Sequence, residues 1–323
     1  MVAPDPAVIV PALLLDLMLG DPRWLPHPVV LIGRTITFLE DRLRALISNE
    51  RLAGVLLLLL TVTGTVAVTW LALVGAASLS PLAGTAAAVA ISYTCLAARS
   101  LHRESAVVAR ALLAGDIQAA RRNLSYIVGR DTADLDEPEI WRALVETVAE
   151  NTCDGVIAPL FWLCLGGPLA GMAFKAVSTL DSMVGYRNER YLHFGWASAR
   201  MDDLANFIPA RLTALLMIVV APLTGLSLRN ALRVTLRDRL KHPSPNSAHP
   251  EAAAAGALGV RLGGPSRYGG KPSWKEYIGD PHKPLNRDAY AAMIRLMYAT
   301  TIFMTAIFLI PALLLRGFDV TLP

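Results

Sequence analysis

The chain is short of cysteine, of charge and of any secretion signal, and each shortage narrows what it can be. Its three cysteines, Cys95, Cys153 and Cys164, are scattered and two fall in apolar runs. Neither a disulfide framework nor a zinc-ligand spacing can be built from them. Charged residues make up only 17% of the sequence, and Leu52–Ala98 has no Asp, Glu, Lys or Arg over 47 residues. The basic residues that exist are dispersed, with no compact stripe interleaved with aromatics, so nucleic acid is not an expected partner. A positive n-region and a small-residue cleavage site are missing at the N-terminus, so Pro6–Gly20 is expected to be mature protein. With its Asp16, that stretch suits a tilted span or an interfacial helix.

What is present is apolar length. A bilayer core takes about 20 residues to cross as helix. Leu52–Ala98 is enough for two spans joined at Ser78–Leu82, and Val156–Phe174, Leu212–Leu228 and Leu296–Leu315 add uncharged runs of 19, 17 and 20 residues. The expected fold is all-α: one polytopic, membrane-embedded helical bundle over residues 1–323, with large polar loops at 21–51, 99–155, 181–203 and 227–289. If every run spans, 23 Lys and Arg lie on one face and four on the other. Excess positive charge marks the cytoplasmic side, here that of a cell (inner) membrane. This parity separates 181–203 from the other loops. The Gly166-Gly167-Pro168 break offers an alternative in which 156–180 is re-entrant, as non-helical backbone is tolerated where protein or a cavity covers it. Stretch 204–226, with Pro209 and Pro222, could do likewise. All four polar loops would then be cytoplasmic, the arrangement we prefer.

The chemistry-bearing residues crowd the ends of the apolar runs. Glu146, Glu150 and Asp154 recur every four residues, which presents three acids on one helical face. Such a face is either merely solvated or neutralised by a cation, and Mg²⁺ held by one or two carboxylates with substrate phosphates would do this. Lys175 and Thr179, a turn apart, are followed by Asp181 and Ser182. The lysine either snorkels to the interface or meets a phosphate, and the adjoining run Asp181–Tyr191, with Arg187 and Asn188, favours the phosphate. Near the N-terminus Asp21 and His27 stand among Pro22, Pro26 and Pro28, a stiff turn that either leaves the membrane or aims at a ligand. His242 and His249 do not specify a metal site, and Asp202 and Asp203 suit a helix start without further function. The stretch Gly256–Gly270, containing Gly263, Gly264, Arg267, Tyr268, Gly269 and Gly270, has glycine enough to bring backbone N–H groups to an anion. It lacks the end of a Walker A loop, and by itself it reads as a flexible loop.

Taken together, these segments resemble the adenosylcobinamide-phosphate synthase family of cobalamin biosynthesis, the CbiB/CobD family. The resemblance rests on Leu15-Asp16, Gly20-Asp21-Pro22, Pro26-His27-Pro28-Val29, Glu146–Gly155 and Lys175–Tyr191. It continues through Phe194–Asp203, Pro209–Thr213, His242–Glu251 and Gly256–Gly270, from residue 13 to about 282. Cys153 and Ser178 depart from the Ser and Asn expected there, and the loss of the amide weakens any role carried over to position 178.

The resemblance implies an ATP-dependent amide ligation. The propionate carboxyl of adenosylcobyric acid is joined to (R)-1-amino-2-propanol O-phosphate, or to the free aminoalcohol, through an acyl phosphate. On that footing ATP and Mg²⁺ are the expected cofactors, with Glu146, Glu150 and Asp154 on the metal and Glu150 also catalytic. Lys175 and Arg187 would meet phosphates. Arg267, Tyr268, Asn188, Asn246 and glycines 263, 264, 269 and 270 would help to hold the nucleotide. Asp181, with His27 and His242 as rivals, would take the proton of the attacking ammonium. Expected partners are the two substrates, the lipid bilayer, late cobalamin-pathway enzymes and a second copy of the chain. The competing classes are a corrinoid transporter and a non-catalytic membrane anchor. A transporter would place its polar groups near the bilayer midplane, whereas the dense clusters here flank the apolar runs.

Overall fold

The computed structural model describes residues 5–22, 24 and 26–319, with side chains as far as Ile310. In chain order the helices are α1 (Pro6–Leu19), α2 (Pro28–Leu46), α3 (Glu50–Leu79), α4 (Pro81–Tyr93), α5 (Ala98–Leu113), α6 (Ile117–Leu124) and α7 (Glu137–Asn151). After a π turn at Thr152–Ile157 come α8 (Ala158–Val184), α9 (Trp196–Ala205), α10 (Phe207–Val220), α11 (Leu228–Asp238) and α12 (Ala248–Leu258). Strands β1 (Arg261–Tyr268) and β2 (Lys271–Gly279) precede α13 (Arg287–Asp319). Among the described residues five helical stretches are long and apolar enough to cross a membrane: Glu50–Leu79, Pro81–Leu113, Glu137–Val184, Phe207–Thr224 and Arg287–Ile310. The protein is an all-α polytopic membrane protein carrying one small hairpin.

The chain gathers into two compact units. One draws on the residues up to Ala97, on Ala158–Asn206 and on the end of α13 from Ala306; the other comprises Ala98–Ile157 and Phe207–Thr305. In the first, the joint between α3 and α4 falls at Ser80, within the stretch expected from sequence. Its hydroxyl accepts the Ala83 N–H at 3.0 Å, and Pro81 opens α4 where no helical donor is needed. The break in α8 is equally local. Gly166 and Gly167 leave helical geometry, with Gly167 at φ +62, and Pro168 restarts the helix. Leu163 then packs against Gly171, where a side chain at 171 would collide with it. Eight residues of straight helix would put them ~12 Å apart. The chain therefore folds back here, which is the reversal a re-entrant segment requires.

In the second unit the core is built around α12. All eleven of its residues are buried, and its alanines and Gly256 let α11 approach closely: a side chain at 256 would strike Asn230 O and Val234. The glycine-rich stretch is an antiparallel hairpin, not the flexible loop expected. Tyr268 pairs with Lys271 across a two-residue Gly269-Gly270 turn with φ of +56 and +77. Glycine reaches such angles without strain, and paired positive φ is the backbone of the favoured tight hairpin turn.

Candidate functional site

α7 starts on a full capping box between Asp136 and Glu139 and runs buried through the second unit, carrying Glu146 and Glu150 along it. The π turn that follows, with its i→i+5 bonding, breaks the four-residue rhythm. Asp154 lies in that turn, so it does not continue the helical face of Glu146 and Glu150. The third acid of the cluster is instead Glu251, buried in the first turn of α12 and within electrostatic range of both. Lys275 on β2 is set against all three carboxylates. Arg130 pairs with Glu146, and the Ser247 hydroxyl donates to Glu150 Oε1 at 2.9 Å. His242 stands beside Glu146, Glu150 and Lys275.

Three acids against two cations is a negative surplus in a buried place, and the titration behaviour reflects it. Burial first, then the Glu150 and Glu146 carboxylates, push the Glu251 pKa well above the ordinary range, so Glu251 holds its proton. Burial and neighbouring Lys275 pull His242 down to about 4, and the ring is neutral. Its Nδ1 accepts the Ser244 N–H at 3.0 Å, which leaves the proton on Nε2 and makes that atom a donor.

Both oxygens of Glu146 accept hydrogen bonds within the protein: Arg130 donates to Oε2 and the Gly263 N–H to Oε1 at 2.7 Å. The glycine N–H groups do meet anions, but these are the protein's own carboxylates. Asp131 accepts from Gly269 and Gly270 at 3.1 and 2.7 Å, and Asp238 from Gly279 at 2.8 Å. Gly264 faces Tyr277, which leaves no room for a side chain, and Arg142 donates to the carbonyls of Gly263 and Pro265. The hairpin is thus pinned to the unit, with its glycine donors already occupied. Arg267, paired with Asp134 at 3.4 Å, and Tyr268 stay exposed. Beside them Trp274, Ser266, Glu139 and Asp134 line a cleft of about 450 Å³. Among the described residues, no three His, Cys, Asp or Glu side chains form a ready-made metal site.

The first unit carries a second cluster. Asp181, near the end of α8, Asp202 on α9 and Asp203 lie within electrostatic range of one another. Burial, then Asp181, raises the Asp202 pKa to about 7, although Asn206 Nδ2 donates to it at 3.0 Å. Asp203 has Arg200 at 3.7 Å and Arg187 nearby. Arg187, Arg200, Tyr186, Tyr191 and Asp203 line a cavity of about 390 Å³. The segment that bears Arg187 is anchored by Glu40, which takes Arg44 and Arg190 at 3.0 Å and the Tyr191 hydroxyl at 3.4 Å. Asn188 is occupied in the same anchoring, its Oδ1 accepting Tyr191 N at 3.0 Å. Half-buried Lys175 has its carbonyl bonded by Thr179 Oγ1 at 2.6 Å. His27 caps α2 through Nδ1, taking Val29 N at 3.3 Å, and its Nε2 faces Asp21 at 3.4 Å. Its Nδ1 is engaged in the cap, while its buried Nε2 makes no hydrogen bond among the described residues.

Of the expected residues, Glu146, Glu150, Asn246 and the hairpin therefore fall in one unit, and Lys175, Asp181, Arg187, Asn188 and His27 in the other. Arg130, Glu251 and Lys275 escaped the sequence reading. Glu251 alone had a usable signal, as a lone acid leading an alanine run.

The likeness to known proteins is extensive. The family model described as CobD/Cbib protein matches residues 9–297. The chain is 71% identical to "Cobalamin biosynthesis protein CobD" of Pelobacter propionicus, covering 99% of each chain. It is 64% identical to the protein of that name from Geobacter metallireducens, over 90% of this chain and 92% of the relative. To "Cobalamin biosynthesis protein CbiB" of Salmonella typhi it is 46% identical, over 92% and 94%. No solved structure matches. A match that runs unbroken through the α7 acids, the α8 break and the pinned hairpin has one reading: this chain belongs to the CobD/CbiB family.

Proposed function

We propose that this protein acts in cobalamin biosynthesis, as the names of its relatives state of them. Within that pathway we assign it the ATP-dependent ligation of adenosylcobyric acid to aminopropanol phosphate or the free aminoalcohol. A carboxylate is a poor electrophile. Its oxygen attacks the γ-phosphoryl of ATP and ADP leaves. The amine nitrogen then attacks the acyl carbon, phosphate leaves, and the nitrogen's extra proton passes to a base.

One observation carries this reading: the buried meeting of Glu146, Glu150 and Glu251 with Arg130, Lys275 and His242. Charge transfer between two anions needs cations and fixed donors at the phosphoryl group, and Lys275 and the His242 Nε2–H supply them. Glu150 fits Mg²⁺, since one oxygen rests on the Ser247 hydroxyl and this metal asks only one or two carboxylates beside substrate phosphates. Asp154 is the second candidate ligand. When bound, the metal would withdraw charge from the phosphoryl oxygens. Arg267 and Tyr268 of the hairpin, in the same unit, would meet the nucleotide; in the other unit, taken by itself, Lys175 and Arg187 are proposed as phosphate contacts. Within the first unit, taken by itself, Asp181 is the proposed proton acceptor, because the Nδ1 of its rival His27 is engaged by Val29 N. The active site is assigned to the cytoplasmic side of the cell membrane.

The test is a ligation assay on detergent-purified protein with adenosylcobyric acid, aminopropanol phosphate, Mg²⁺ and ATP, following corrinoid mass and ADP. ATP-dependent product is expected from the wild type, with loss of at least ~100-fold in Glu150→Gln, the scale of removing a key charge-stabilising group. Absence of product from a protein that still binds corrinoid would overturn the ligase and leave transport or anchoring.

A further inference from the structure

Three residues of the second unit share an unusual deficit. Among the described residues Arg211, in the first turns of α10, has no carboxylate partner. Its Nη1 donates to Phe207 O at 2.7 Å and to Asn246 Oδ1 at 3.3 Å, and its guanidinium stacks on the Phe207 ring at 3.5 Å. Arg239, just past α11, donates to Leu236 O at 3.2 Å and has no ion pair among the described residues. The two guanidiniums are close enough to act on each other electrostatically. Both act on His249, which is 5% exposed in the first turn of α12 and whose Nε2 is buried with no hydrogen-bond partner.

Each of these facts calls for an anion. Like charges gathered without a counter-charge repel, and a buried ring nitrogen left unbonded forfeits its hydrogen bond to water without replacement. Several other arginines of this unit are matched to acids, Arg130 to Glu146, Arg233 to Asp280 and Arg237 to Asp238, while Arg110 and Arg121 donate to backbone carbonyls away from any buried histidine. The start of α12 adds the positive end of a helix dipole, and Ser247 makes no capping bond to it. Two planar forks, a neutral imidazole donor and a helix start form the donor set that suits a tetrahedral oxyanion.

We infer that Arg211, Arg239 and His249 form a binding site for a phosphate group. The group has two sources of the same chemistry. One is a small phosphomonoester, which would make this the aminoalcohol-phosphate subsite and rests on the ligase reading. The other is an anionic lipid headgroup, since Arg211 lies near the start of the candidate span Phe207–Thr224.

The experiment uses the full chain, delipidated in an uncharged detergent, and titrates inorganic phosphate and O-phosphoethanolamine by calorimetry with thermal unfolding alongside. A second arm compares thermal unfolding in phosphatidylcholine nanodiscs with and without phosphatidylglycerol. Saturable binding in the first arm, weakened at least tenfold by Arg239→Gln and by His249→Gln, establishes the site with a free phosphate as ligand. Stabilisation only by phosphatidylglycerol, lost in the same variants, establishes it with a lipid phosphate. Arg239 is half-buried at a helix end, so its variant folds even if His249→Gln does not. No response to either probe, or an undiminished response in Arg239→Gln, overturns the site. None of this needs ATP or a corrinoid, so a protein that binds phosphate yet makes no amide refutes the ligase and leaves the site standing.

Discussion

Glu146 and Glu251 share a cluster but differ in their partners. Glu146 accepts from Arg130 and the Gly263 N–H, so Glu146→Gln strands a buried guanidinium and is expected to cost about 3–5 kcal/mol. Glu251 already holds a proton, and Glu251→Gln removes little, about 1 kcal/mol or less. Thermal unfolding in detergent ranks them, and a Glu251→Gln variant as damaged as Glu146→Gln would refute the protonated state. Asp202 gives a pH-dependent counterpart. Its folded pKa of about 7 stands above the ordinary 3.8, so between those values the folded state keeps a proton that the unfolded chain has lost. Stability therefore falls as pH rises through that window, and is fully penalised above it. Asp202→Asn should match wild type near pH 4 and unfold a few degrees higher at pH 8. Equal melting at both pH values would show that Asp202 titrates normally. At this scale the sequence was half legible. A four-residue spacing shows that Glu146 and Glu150 share a face, but not whether an arginine sixteen residues earlier already occupies one of them. Glu251 shows in the sequence as a lone acid leading an alanine run, but that run has no periodicity from which its burial beside Glu146 and Glu150 could be read.

The elements were legible where punctuation is local. Ser80-Pro81 stopped and restarted a helix as its capping chemistry dictates, and Gly166-Gly167-Pro168 broke α8. The hairpin was missed although Tyr-Gly-Gly-Lys carries a tight-turn signal, since strands with Gly263, Gly264 and Pro265 have low intrinsic β propensity. Its stability comes from carboxylates distant in sequence. Asp238, fully buried, receives Arg237 and Lys241 at 2.7 Å and the Gly279 N–H at 2.8 Å; these outweigh burial and hold its pKa down at about 2. Asp238→Asn is expected to keep the helices and loosen the hairpin. Hydrogen exchange should quicken at least tenfold across residues 261–279 while α12 stays protected. Unchanged exchange there would mean that the Gly-Gly turn alone holds the strands.

At the scale of the whole molecule, apolar run length was enough to recover the spans, because a bilayer's thickness sets helix length directly. The division into two units was not legible, since each is assembled from stretches far apart in the chain. Sidedness turns on one segment. Simple parity puts 181–203 opposite the other polar stretches, whereas the reversal at Gly166-Gly167, with Leu163 against Gly171, permits 156–180 to enter and leave by the same face. Positive charge argues for the second arrangement only weakly, with three basic residues in 181–203 against eleven in 227–289. The chain itself supplies a clean assay, since its three cysteines are buried and leave little background for thiol labelling. Single cysteines at the exposed positions Ser125, Glu189 and Ser273 are expected to react with an impermeant maleimide in inside-out vesicles and to stay unlabelled in right-side-out ones. Labelling of Glu189→Cys from outside, with the other two still cytoplasmic, would make α8 a true crossing.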